Sequence, residues 1–139
     1  MKSTIAAIDF GTSKIVTLVA ETSGTQRCDI IGAGIAMSWI VRDMEPADAV
    51  WIWNIIQDSL GYECRLETVR DRLVYLCHKP GNRVFVVMEN GTGRIGGFLH
   101  AADYEVIYSG SLKNIVALAV DPSLQGQGLG KQLLCAVEA

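Results

Sequence analysis

The stretch Asn114–Lys131, NIVALAVDPSLQGQGLGK, decides how this chain is read. Ile115 to Val120 is an apolar run that reads as a strand. Asp121-Pro122-Ser123 reads as a turn, Gln125-Gly126-Gln127-Gly128-Leu129-Gly130 as a glycine-rich loop, and Lys131 as the start of a helix. A glycine-rich loop between a strand and a helix is a device for holding a phosphate. Its amides point outward, no side chain blocks them, and the helix dipole favours negative charge at that end.

Outward from that stretch, the preceding chain reads as alternating short elements. Val84 to Met88 and Arg94 to His100 are strands joined by the turn Asn90-Gly91-Thr92-Gly93, whose residues accept positive φ. Ala101 to Leu112 reads as a polar, tyrosine-bearing connection. Upstream, Trp39 to Met44 is a strand and Pro46 suits the first turn of a helix. Ala49, Val50, Trp53, Ile56 and Leu60 recur at helical spacing until Gly61. Leu66, Val69, Leu73, Leu76 and Cys77 mark one face of a second helix, ended by Pro80-Gly81. From Trp39 the order is β-α-α-β-β-β-α. The first third is different: Ile5 to Phe10, Ile15 to Ala20 and Cys28 to Ile35 read as three strands of a meander.

Half of the 139 residues are hydrophobic and 19% are charged, a globular composition. A net charge of −3 gives no reason to expect nucleic acid or an anionic membrane as partner, and Arg70 and Arg72 read as the wet face of a helix. Cys28, Cys64, Cys77 and Cys135 lack metal-ligand or redox spacing and read as free, buried thiols. With only His78 and His100 beside them, no metal site is expected. Asp9 interrupts the N-terminal apolar stretch, so it does not read as a signal peptide, and no run reaches membrane-spanning length. The expected location is the cytoplasm.

From about Trp39 to Ala139 the element order and loop resemble the GNAT superfamily of acetyl-CoA-dependent N-acetyltransferases. The family's pyrophosphate signature, Gln/Arg-x-x-Gly-x-Gly/Ala, is met by Gln125, Gly128 and Gly130, and Gly96-Gly97-Phe98 lies on the preceding hairpin. The resemblance implies an α/β (α+β) fold, a partial GNAT-like mixed sheet with flanking helices. It implies acetyl-CoA as cosubstrate and no metal. The pyrophosphate would lie on Gln125, Gly126, Gln127, Gly128, Gly130 and Lys131, and the pantetheine arm along Leu118, Ala119 and Val120. A backbone N–H of that strand would polarise the thioester, and an amine, on a small molecule or a peptide, would attack it. The family's further strand, helix and closing hairpin would follow Ala139, so the resemblance also implies half a pantetheine cleft, weakened activity and no position for the tyrosine that often protonates the thiolate. Asp103, Tyr104, Glu105, Tyr108 and His100 lie on or after the strand that faces the acceptor in the family, and none of them is assigned as base.

Residues 1–37 are similar instead to the opening of actin-like ATPases, the cell-division protein FtsA family most of all. Asp9, Gly11, Thr12, Ser13 and Lys14 match that superfamily's first phosphate loop. The expectation is therefore a chimera, 1–37 actin-like and 38–139 GNAT-like. Its N-terminal meander would complete the larger sheet, within one chain or in a homodimer through exposed sheet edges. Three readings stay open: an acetyltransferase, a folded fragment with weak CoA binding and no catalysis, and an actin-like nucleotide-binding module.

Overall fold

The structure, a computed structural model, describes residues 2–10, 14–23 and 27–139. The chain divides into two units, residues 1–38 with 89–92, and residues 39–88 with 93–139.

The first unit is an antiparallel meander of β1 (Lys2–Phe10), β2 (Lys14–Ser23) and β3 (Arg27–Met37). Val19 faces Gly32 and Ala20 faces Ile30, so Ile31 is an extra residue that bulges β3. Ile5, Ile8, Ile30 and Ile31 are all more than half exposed. The expectation that these strands complete the larger sheet is corrected: they form a three-stranded sheet of their own. Each finds its hydrogen-bond partner in its sequence neighbour, which costs less loop entropy than a distant edge.

The second unit carries a four-stranded sheet in the order β4 (Trp39–Asp43), β5 (Asn82–Glu89), β6 (Ile95–Tyr104), β7 (Leu112–Val120). Neighbours run antiparallel. For β4 and β5 the amide of Met44 reaching Val84 and that of Asn90 reaching Ser38 set the same sense. Between β4 and β5 come a 3-10 turn (Pro46–Asp48), α1 (Ala49–Ile55), a π-turn (Ile56–Leu60) closed by left-handed Gly61, and α2 (Leu66–His78). After β7 a 3-10 turn (Pro122–Leu124) leads to α3 (Leu129–Glu138).

Helices cover both faces of this sheet, so β5 is apolar on both sides. Val84 and Val86 pack with Ile52, Ile55, Val69, Leu73 and Phe98. Phe85 and Val87 point the other way, to Leu99, Leu124, Leu129 and Leu133. This is strand alternation serving two cores. Each fully buried side chain, such as Ile52, Leu99 or Leu133, contributes about 1.5–3 kcal/mol of apolar burial.

Several boundaries and faces differ from expectation. α1 buries Ala49, Ile52 and Ile55 and leaves Val50 outside, because the flanking 3-10 and π turns shift the helical phase. Cys77 is exposed rather than on the packed face of α2. β6 continues through Ala101–Tyr104, where a connection was expected, because Leu112 to Ile115 pair with it.

Candidate functional site

The loop after β7 is held from beneath and open above. Asp121 accepts from the Ser123 amide at 2.8 Å and the Ser123 hydroxyl at 2.6 Å, and its own amide reaches Gly96 O. Arg94 binds both Asp121 (3.0 Å) and Ser123 (3.1 Å). Asp121 is thereby held below the ordinary carboxylate pKa, chiefly by the Ser123 hydroxyl, with the Ser123 amide and Arg94 adding. Leu124 plugs the core below. Gln125, Gly126, Gln127, Gly128 and Lys131 are exposed, and Gly130 is half-buried.

Gly126 and Gly128 stand at φ +80° and +83°, in the left-handed region, with nothing within 4 Å of where a Cβ would be. Among the described residues no hydrogen bond is donated by the backbone N–H groups of Gly128, Leu129, Gly130 or Lys131. α3 takes up its ladder only at Gln132, which bonds Gly128 O. Four amides without an internal acceptor therefore gather at the N-terminus of α3.

β7 has β6 as its only strand neighbour among the described residues. His100 faces Ala117 and Ala101 faces Ile115, so Val116 is the extra residue of a bulge. The bond from the Asp121 amide to Gly96 O fixes the alternation: Ala117 and Ala119 exchange hydrogen bonds with β6, while Leu118 and Val120 turn their backbone groups to the open edge. Of the three strand residues expected to line a coenzyme, Ala119 thus has its backbone engaged by β6 and its side chain buried in the core. The Val120 carbonyl accepts from Ser59 Oγ at 2.7 Å and from Gln125 Nε2 at 3.3 Å. Gly97 lets β6 press in here, since a Cβ would meet Ala119 O at 2.8 Å.

On the face covered by α1 and α2 lies a cavity of about 300 Å³, with Ile52, Leu73 and Leu76 above and Phe98, His100 and Ala117 below. His100 Nε2 lies 2.9 Å from Asn82 Oδ1. Asn82 Nδ2 in turn donates to Pro80 O at 3.3 Å. Burial lowers the pKa of His100, and the charges of Lys79 and Arg72 lower it further. The other candidate bases are elsewhere: Asp103 pairs with Lys113, and Tyr104, Glu105 and Tyr108 are exposed.

A family model described as the acetyltransferase (GNAT) domain matches residues 80–139. A GCN5-related glucosamine N-acetyltransferase region of a fungal multi-domain GH3 β-N-acetylglucosaminidase superposes with TM-score 0.60 at 23% identity, covering 79% of this chain and 12% of that one. A GNAT family acetyltransferase of Staphylococcus aureus gives 0.62 at 20% identity, covering 73% and 76%. AAC(6')-Iy, bound to the bisubstrate analogue CoA-S-monomethyl-acetylneamine, gives 0.61 at 18%, covering 73% and 69%. The fold is the GNAT fold. A search among curated proteins gave no match.

Within the GNAT fold of this chain, sequence reasoning missed Ser59 and Arg94, which brace the loop from distant elements. It also missed Arg42, whose two nitrogens grip buried Asp48 at 2.8 and 2.9 Å under β4. Arg94 carries a faint signal, standing at the start of the strand after the hairpin turn; Ser59 carries none. Cys28, Cys77 and Cys135 are exposed and Cys64 is half-buried, so the expectation of buried thiols is corrected. Among the described residues no group of His, Cys, Asp and Glu is arranged to hold a metal, and no helix is long and apolar enough to cross a membrane. The phosphate-loop residues Gly11, Thr12 and Ser13 lie outside the described residues; Asp9 sits on β1 opposite Val16, and Lys14 opens β2.

Proposed function

We infer that this chain binds acetyl-CoA and transfers its acetyl group to an amine. The observation that carries this is the set of unsatisfied amides over residues 128–131, with open space above Gly126 and Gly128. Such a cluster at a helix N-terminus suits a pyrophosphate. Gln125, Gly126, Gln127, Gly128, Gly130 and Lys131 would hold it, Lys131 adding a positive charge. The outward backbone groups of Leu118 and the N–H of Val120, whose carbonyl Ser59 and Gln125 occupy, would hold the pantetheine arm as an added strand. Acetyl-CoA supplies an activated acyl group. The Leu118 N–H, aimed at the open edge, would receive the thioester oxygen as negative charge develops on it.

Two proteins of similar fold support an amine as acceptor: one is a glucosamine N-acetyltransferase region, the other holds an acetylneamine analogue. The experiment is a calorimetric titration of CoA into the protein and into Gly128→Glu, whose carboxylate would repel the pyrophosphate. Binding lost in the variant supports the assignment. Equal binding by both, or none by either, removes the loop as the site.

A further inference from the structure

We propose that the cavity under α1 and α2 is the acceptor site, that it selects an amine with a compact apolar body over an amino sugar, and that His100, oriented by Asn82, takes the ammonium proton. This rests on the acetyl-transfer reading above.

The lining decides the substrate class. Its walls are Ile, Leu, Val, Phe and Ala side chains; the polar lining is Tyr62, Thr68, Arg72 and His100, with no carboxylate. A polyhydroxylated amine would leave its hydroxyls unpaired against this wall, and further ammonium groups would meet the Arg72 cation. The relatives named for glucosamine and neamine therefore share the fold but do not predict this chain's acceptor. A volume of about 300 Å³ suits one ring or a branched alkyl body.

The base follows from geometry. The Pro80 carbonyl fixes the Asn82 amide so that Oδ1, an acceptor only, faces the imidazole. His100 Nε2 must therefore carry the proton, which leaves Nδ1 as the basic nitrogen. Nδ1 makes no hydrogen bond among the described residues. His100 faces Ala117 across the β6–β7 ladder, and the outward amide of Leu118 is next along β7. That amide points away from β6, so the thioester position lies about two strand spacings, ~10 Å, from the base, and one water in the cavity carries the proton from the amine to Nδ1. The charges facing the imidazole are Arg72 from α2 and Lys79 just beyond it, while β5 presents Asn82 and Val84 and β7 presents Ala117. Both cations favour a neutral imidazole and a neutral amine.

The step balances. Nδ1 accepts one proton from R–NH3+ through that water; the amine nitrogen forms a bond to the acetyl carbon as the carbon–sulfur bond breaks. The second nitrogen proton goes to the departing thiolate, and the imidazolium returns its proton to water.

The test uses the full chain with 2-phenylethylamine and D-glucosamine as probes. Thiol release from acetyl-CoA gives kcat/KM, and imidazole NMR follows His100 without coenzyme. We expect kcat/KM for phenylethylamine about 100-fold above that for glucosamine. Phenylethylamine alone should shift the His100 resonances. Asn82→Asp, which sets a carboxylate beside the imidazole, should move the acid limb of kcat/KM up by about one pH unit. His100→Gln should abolish that limb while phenylethylamine still binds. Glucosamine turned over as well as phenylethylamine, unmoved His100 resonances in the wild-type chain, or an acid limb that survives in His100→Gln would each overturn the proposal. Failure of CoA to bind in the calorimeter counts against the acetyl-transfer reading alone, because the imidazole shift is read without coenzyme and still decides the pocket.

Discussion

Gly97 stands where β6, β7 and α3 meet behind the glycine-rich loop, and Gly97→Ala tests whether that approach positions the loop. The added Cβ would lie 2.8 Å from Ala119 O, 3.2 Å from Val120 Cγ2 and 3.3 Å from Leu133 Cδ1. The first contact is with backbone inside a hydrogen-bonded ladder, so it has no rotamer with which to yield. Overpacking of this kind costs about 1–3 kcal/mol. The restricted unfolded chain returns about 0.4–1 kcal/mol. The expected net loss is about 1–2 kcal/mol, a fall of roughly 1 M in urea midpoint. Trp39, Trp51 and Trp53 all belong to the second unit, so their fluorescence follows this sheet and its helices. Gly110→Ala is the control: it meets nothing within 4 Å and should stay within about 0.5 kcal/mol of wild type. If the two variants melt at the same urea concentration, β6 and β7 are not held as closely as the contact requires, and the account of the loop's support fails.

Asp48→Ala should cost about 3 kcal/mol, because it strands the Arg42 guanidinium beneath β4; thermal melts should show Asp48→Ala/Arg42→Met recovering part of that loss. The depressed pKa of Asp121 makes its contribution complete above the unfolded carboxylate value near 3.8 and lost as pH falls through the lower folded value. Urea midpoints at pH 6 and pH 3 should therefore differ less in Asp121→Asn than in wild type. Ser59→Ala should cost about 1 kcal/mol. A double-mutant cycle with Gln125→Ala should be non-additive, since both side chains donate to the Val120 carbonyl.

The strand–loop–helix around the glycines was legible because its determinants are local: β-branched residues, then Asp-Pro-Ser, then glycines that must adopt positive φ. What escaped depends on partners far along the chain. Ala101 to Tyr104 read as a connection until Leu112 to Ile115 pair with them. The π-turn at Ile56–Leu60 keeps a helical hydrophobic pattern while rotating Ser59 toward Val120. His100 could be noticed in the sequence, but its tautomer is set by Asn82, which the β5–β6 register brings alongside. Val116 as an extra residue is invisible without its partner strand. In the first third the strands were legible as strands; their assembly into a separate sheet was not, since nothing in a β-rich run names its neighbour.

That separate sheet has an energetic corollary. Among the residues of the first unit whose burial is described, none is buried, whereas the second unit has two apolar clusters around β5 and β6. A three-stranded layer with no buried residue among those described relies on backbone bonding and partial shielding, and is marginal by itself. Heating should therefore release it first, and a scanning calorimeter should trace two endotherms for this one short polypeptide, with no single melting temperature describing it.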